Sequence, residues 1–284
     1  MGKRVAFVLT ADDYAMTPAV TRGILALLER GAISATGAMT NRPHWREAAR
    51  NLSAFAGQAD LGLHLNLTCG QPLTRMARLC PTGDLPKLPR LLAAGLAGRL
   101  PLDEIAGEIR AQIAAFEDQT GRPPDFIDGH QHVHALPGVR RALAIALADA
   151  FAQTRPYLRD PADSAAAIGA RGRQWRKARL LSVLARPFAA RMQALGFALN
   201  RGFAGYSAFD PRADYATDFA SYLVAPGPAH LVMCHPGGVD DALRALDPAV
   251  ESREQELAFF SSSRFREICA EAGLTPARFA AIHA

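Results

Sequence analysis

Short apolar runs, each followed by a stretch with helical spacing, recur along this chain of 284 residues. That alternation constrains its fold more than any other feature. "RVAFVLT" (residues 4–10) reads as a buried strand. Thr17 and Pro18 then supply an N-cap and a first-turn proline. Val20, Ile24, Leu27 and Leu28 follow at helical intervals, and Gly31 marks the stop. "ISATGAM" (33–39) and "PHWREAARNLSAFA" (43–56) repeat the theme. "DLGLHLNLT" (60–68) alternates strictly, with leucines on one face and Gly62, His64, Asn66 and Thr68 on the other. A long connection rich in proline and leucine leads to a helix over about 102–120, with Ile105, Ile109, Ile113 and Phe116 on one side. "DFIDGH" is a fourth strand, 137–150 a helix, and "TRPYLRD" a fifth strand. "DYATDFASYLVA" reads as a helix, "AHLVMCH" as a strand and 251–272 as one closing helix. Strands alternating with helices imply βαβ units and a predominantly parallel sheet, closed or open. The length suits a single α/β domain over 1–284.

Composition excludes several classes. With 49% hydrophobic and 21% charged residues, the chain can bury a sizeable core. Its four cysteines, Cys69, Cys80, Cys234 and Cys269, are scattered without a CxxC pair. This argues against a disulfide framework or thiolate zinc site and fits a reducing compartment. The N-terminal apolar run is interrupted too early by Asp12 and Asp13 for a signal peptide, and no apolar stretch would span a bilayer. A cytoplasmic protein is expected. The net charge of +5 raises a nucleic-acid reading, but the arginines are spread along the chain and no nucleic-acid motif appears. The one concentration is 171–191, with seven basic residues. It reads as a solvated helical face, or more sharply as a surface for anionic lipid head groups or an acidic substrate.

Polar clusters fall where these strands end. Asp12 and Asp13 follow the first, His64 and Asn66 end the third, and Asp128 and His130 the fourth. His235 follows "AHLVMC", and Arg155 stands beside the fifth strand. Ligands of α/β sheets bind at the C-terminal ends of strands, so these residues are expected to converge. In "DGHQHVH" three of the eight histidines lie within five residues. On an extended strand, His130, His132 and His134 would share one face. Taken singly, the aspartates could be a turn and helix cap, His64 a structural histidine and His235 a turn marker; together they point to one rim. Two imidazoles and a carboxylate form a facial site for a divalent ion, which activates water and polarises a carbonyl. A second carboxylate can take the proton, and a histidine can protonate the leaving group. Two other readings use the same residues: a glycoside hydrolase employing Asp12 and Asp128, and a non-catalytic metal- or sugar-binding protein.

"TADDYAMT" (10–17), "GLHLNLTCGQPL" (62–73), "DGHQHVHALP" (128–137) and "MCHPGG" (233–238) together resemble the YdjC-like carbohydrate deacetylases, a group that includes chitooligosaccharide deacetylases and a hopanoid-biosynthesis deacetylase. The resemblance covers essentially the whole chain. It implies a distorted (β/α) barrel that removes acetyl groups from an N-acetylated amino sugar, either an oligosaccharide or a lipid-linked glycan. It also implies Mg²⁺ or Zn²⁺ held by Asp13, His64 and His130, with Asp12 as general base and His235 assisting the leaving amine. Asn66, Asp128, His132, His134 and Arg155 would contact substrate or back the ligands. Three positions depart from the family. Ala15 replaces a usual glycine and would be strained if that backbone needs φ > 0, while Gly129 and Gln131 replace serine and histidine. The segment 160–201 matches least and reads as a basic helical insertion shaping the substrate site or an oligomer contact. A homodimer is the default assembly.

Overall fold

The structure, a computed structural model, describes residues 5–148, 150–151 and 155–283. The apolar runs form parallel strands: β1 (Val5–Tyr14), β2 (Ala35–Ala38), β3 (Asp60–Leu65), β4 (Phe126–Gly129), β5 (Tyr157–Leu158), β6 (Phe203–Ala204), β7 (Leu231–Cys234) and β8 (Leu274–Pro276). The order across the sheet is β5-β4-β3-β2-β1-β7-β6, with β8 also paired to β1. Its ends come together where Leu199, ahead of β6, bridges Leu158 of β5. This parallel sheet is the one the alternation implies, and its curl into a distorted barrel is what the resemblance implies. The helices that pack around it are α1 (Pro18–Glu29), α2 (Trp45–Leu52), α3 (Leu88–Leu96), α4 (Leu102–Thr120), α5 (Val139–Leu147), α6 (Ala165–Arg171), α7 (Trp175–Ala194), α8 (Tyr215–Tyr222), α9 (Asp241–Leu246), α10 (Glu251–Ser261) and α11 (Ser263–Glu271).

Local chemistry explains several boundaries. Thr17 caps α1 through Oγ1, which accepts from the Val20 N–H at 3.3 Å, with Pro18 in the first turn. The α4 helix ends at Gly121, left-handed at φ 71°, as a C-terminal glycine permits. The strict alternation of β3 sends Leu63 and Leu65 into a cluster with Ile105, Ile109 and Ile113 of α4. Its other face looks into the barrel. There Gly62 leaves room for the Phe126 ring, which a Cβ would meet at 2.5 Å, and Gly37 leaves room for His64. Phe126 stacks on Tyr157 and Tyr157 on Phe279, with centroids 5.2 and 4.0 Å apart. These rings fill the interior beneath the polar end.

Three expectations are corrected. The proline- and leucine-rich connection contains α3, and the closing helix is two helices broken at Ser262. Strands β6 and β8, two and three residues long, were not foreseen. The basic stretch, read as helical, does form helices, α6 and α7. Part of the expected fifth strand, at Thr154, lies outside the described residues, as does Asp149 of the expected helix before it. No helix among the described residues is long and apolar enough to cross a membrane.

At the start of β7, His230 is buried, with Nε2 donating to the Tyr222 carbonyl at 3.0 Å and Nδ1 accepting from the Gly227 N–H at 3.4 Å. Both contacts suit the neutral ring. Burial, with Arg171 adding to it, lowers its pKa to about 4. A histidine depressed in the folded state binds protons more tightly unfolded. Its contribution is therefore complete above pH 6.5 and is lost as pH falls from 6.5 toward 4. Urea titrations across that range should show His230→Asn losing stability less steeply with acid than the parent. Parallel acid limbs would contradict this account.

Candidate metal and catalytic site

The site assembles at the C-terminal ends of β1, β3, β4 and β7. Adjacent residues of a regular strand point to opposite faces, so Asp12 and Asp13 could not both face inward without a break. The break is present. The pairing of β1 with β2 shifts register between Ala11 and Tyr14, and Asp13 and Ala15 adopt φ of 70° and 67°. The Met16 N–H then closes a turn on the Asp13 carbonyl at 2.9 Å. Ala15 thus occupies a conformation glycine would take without strain, at a cost of about 1–2 kcal/mol, and the break in the strand lets both carboxylates enter one pocket.

Asp13 Oδ1 lies 2.8 Å from His130 Nδ1 and 3.3 Å from His64 Nε2. One donor atom from each of the three residues falls within 4.8 Å of the others. All three side chains are buried. The donor set is a hard carboxylate oxygen with two imidazoles. His64 is oriented from behind, since its Nδ1 donates to Asp128 Oδ1 at 2.6 Å and leaves Nε2 facing Asp13. A carboxylate behind a ligating imidazole fixes ring orientation in metal centres. These residues fit a divalent cation.

Asp12 stands beside this set, with Oδ2 4.0 Å from His64 Nε2 and 3.8 Å from His235 Nε2. Arg159, fully buried, grips both Asp12 oxygens at 2.8 and 2.9 Å and reaches Asp128 Oδ2 at 3.0 Å. Arg253 donates to Asp13 Oδ2 at 2.7 Å and to Asp247 at 3.0 Å. The backbone N–H of His235 donates to the buried Glu256 carboxylate at 2.5 Å.

The electrostatics separate the two aspartates. Burial raises the Asp12 pKa above the ordinary value, with Arg159 and His64 opposing it. At Asp13 burial acts the same way, but His130 and Arg253 outweigh it and hold the carboxyl well below the usual range. Burial disfavours charge on His64, yet Asp128 and Asp12 raise it to about 10. Burial keeps His235 well below an ordinary histidine despite the Asp13 charge.

The histidine cluster is not an extended strand. After Gly129 the chain turns through a tight helical stretch, His130–Ala135, with Gln131 and His132 at positive φ of 53° and 57°. The three imidazoles therefore diverge. His130 meets Asp13, while His132 sits edge-on to Phe203 and Tyr206 with centroids 5.7 and 5.5 Å away. His134 turns inward and donates from Nε2 to the Arg159 carbonyl at 2.8 Å. Asn66 commits its side chain to the loop: Nδ2 donates to Asn41 Oδ1 and the Cys69 carbonyl, and Oδ1 accepts from Thr68 and Cys69 N–H groups. It shapes the loop and leaves nothing for a substrate. Arg155 is also displaced from its expected place. It precedes β5, at the opposite end of the strand from the site, where it donates to the Leu195 carbonyl and lies over Phe197. Arg159, at the other end of that strand, takes the position in the site. Sequence reading missed Arg159, Arg253 and Glu256. Of these only Arg159 carried a usable signal, as a charged residue directly after a strand.

Comparison with known proteins agrees with this arrangement. The family profile described as YdjC-like protein matches residues 6–271. The chain belongs to the YdjC-like family. Two curated relatives, chitooligosaccharide deacetylases from Yersinia enterocolitica and Yersinia pestis (strain Pestoides F), are 40% and 39% identical over 133 residues. That stretch is 46% of this chain and 51% of each relative, so the chain spans about half the length of the curated relatives it matches. A crystal structure from Enterococcus faecalis V583, provisionally named a cellobiose-phosphate cleavage protein, superposes with a TM-score of 0.73. It is 22% identical and covers 98% of each chain. This last likeness shows a shared fold over nearly the full length.

Proposed function

We propose that this chain is a metal-dependent hydrolase that removes the acetyl group from an N-acetylated amino sugar, carried on a chitooligosaccharide or a lipid. The observation that carries the reading is the convergence of Asp13, His64 and His130 with Asp12 and His235 alongside. The names of the Yersinia relatives support the substrate class. A divalent cation, Mg²⁺ or Zn²⁺, supplies Lewis acidity toward the amide carbonyl and acidifies water. Asp12 accepts the proton of the attacking water, because burial makes its carboxylate a stronger base than an exposed one. Arg159 fixes the carboxylate so that the proton is taken at one place. His235 faces the same space; burial disfavours its charged form, so it takes up the proton that Asp12 has removed from water and delivers it to the leaving nitrogen. His235 Nε2 and Asp12 Oδ2 lie 3.8 Å apart, so one bridging water or a small approach completes that transfer.

Asp12 and Asp128 share Arg159 instead of flanking an open cleft, which disfavours glycoside hydrolysis. The spare base beside the ligand set disfavours mere storage. The test is acetate release from a panel of N-acetylated sugars by protein stripped with a chelator and refilled with Mg²⁺ or Zn²⁺. Stripped protein should lose at least about a hundredfold in rate, recovered on refilling. Acetate release indifferent to chelation, or chelator-resistant release of reducing ends, would reject the reading.

A further inference from the structure

We propose that the outer face of α7 is a docking surface for an anionic lipid bilayer. This inference goes beyond the deacetylase reading and does not depend on it. Helix α7 packs inward through Ala178, Ala185, Phe188 and Met192, all buried. Its outward face is apolar along the middle. Leu180, Val183, Pro187 and Ala190 recur at three- and four-residue intervals, and all four are exposed, Leu180 and Val183 at 62% and 68%. Leucine and valine that open to solvent on an ordinary helix face are unusual as a contiguous stripe. Trp175, 46% exposed, stands at the start of the helix.

Arginines border this stripe on both sides. Arg179 and Arg186 lie along one edge and Arg191 along the other, Arg176 continues the line of the stripe toward the start of the helix, and all four are exposed. None of the four is in an ion pair among the described residues; Arg176 has only the Trp175 ring, 5.3 Å away. No acidic residue stands between Asp163 and Asp210. An apolar stripe flanked by arginines, with a tryptophan at one end, is the composition of a helix lying in the plane of a membrane interface.

Charge decides among the occupants. A second copy related by a twofold axis would set these arginines against their own kind, because the carboxylates that share a cleft with Arg179 and Arg186, Asp160 and Asp163, are already held by the Ala162 N–H and by Arg171. A nucleic acid would satisfy the arginines but leave Leu180 and Val183 in water. Anionic lipid satisfies both, taking the apolar stripe at the acyl boundary and the guanidinium groups among phosphates. The face is also one side-chain layer from the site. Phe188 of α7 packs against His134 at 5.2 Å. Lys177 lies 5.2 Å from the Phe209 ring, which in turn meets His235 at 5.0 Å.

The test is co-sedimentation of the full chain with vesicles of phosphatidylcholine alone, and of phosphatidylcholine with an equal part of phosphatidylglycerol. Binding is expected only to the anionic vesicles, and raised salt should weaken it. Trp175 emission should shift to the blue on binding, because Trp45 is already buried at 4% exposure. Arg179→Glu with Arg186→Glu should lower partitioning by more than about 25-fold, at roughly fivefold for each charge removed. Leu180→Asn with Val183→Asn should weaken it without altering charge. Circular dichroism checks that each variant is folded, and the uncharged pair serves if the charge reversals do not fold. Acetate release from a soluble sugar without vesicles should be unchanged in both variants. Four results would overturn the proposal: no sedimentation with anionic vesicles at low salt, binding indifferent to both variants, a dimer that hides Trp175, or tighter binding to oligonucleotides than to vesicles.

Discussion

Asp12→Asn is expected to reduce acetate release by about 10³-fold or more while leaving metal affinity within a few-fold of the parent. The substitution keeps a carbonyl oxygen for Arg159, which holds Asp12 at 2.8 and 2.9 Å, and the fold should be unchanged. What disappears is the ability to take a proton, for which the amide has no useful basicity; general base catalysis contributes roughly 10²–10⁴-fold. Asp12 is not in the set formed by Asp13, His64 and His130, so calorimetric titration with Zn²⁺ should still show a site. His64→Ala is the opposite case, expected to lose the cation and activity together, because it removes the proposed Nε2 ligand that Asp128 orients. A kcat for Asp12→Asn within tenfold of the parent would move the base elsewhere. Loss of Zn²⁺ binding in the same variant would mean that Asp12, not Asp13, is the carboxylate ligand.

How much of this could be read from the chain depends on which residues one considers. Helix α4 was read at the bounds it has, 102–120, because it combines a long isoleucine periodicity with a following glycine. Helix α3 was not, since its leucines sit among prolines and glycines that break any period. Strands β6 and β8 are too short for alternation to register. At the site, strand ends and polar residue types located Asp12, Asp13, His64, His130 and His235, and these five do come together. The direction of the three histidines was misread because Gln131 and His132 turn left-handed, a conformation their residue types do not announce. The resemblance, not spacing, singled out His130. Arg159 and Arg253 were hidden for a different reason. Arg159 carried only its place directly after a strand, and among 32 lysines and arginines nothing local ties Arg159 or Arg253 to the site aspartates, Asp12 and Asp13, which are 147 and 240 residues away in the chain.

Arg159→Met should cost about 3–5 kcal/mol of stability near neutral pH, the range found when one partner of a buried ion pair is removed. Methionine fills much of the same space, so the loss is mainly electrostatic. Asp12 and Asp128 would remain buried with His64 as their nearest cation. Arg159 helps hold the Asp128 carboxyl below its ordinary range against burial. That contribution is present above the unfolded value of 3.8 and is lost as pH falls. Without the guanidinium, burial drives both carboxyls upward, and a group raised in the folded state gains stability as pH falls toward its unfolded value. Both effects have the same sign, so the gap between parent and variant should narrow on acidification. Urea midpoints at neutral and mildly acidic pH read this directly. Arg159→Met combined with Asp12→Asn should recover part of the loss, since one uncompensated charge is gone, without recovering activity. A gap that stays constant with pH, or no recovery in the double variant, would mean that Arg159 acts through packing against Phe203, whose ring centre is 5.8 Å away, and not by neutralising the two carboxylates it bridges.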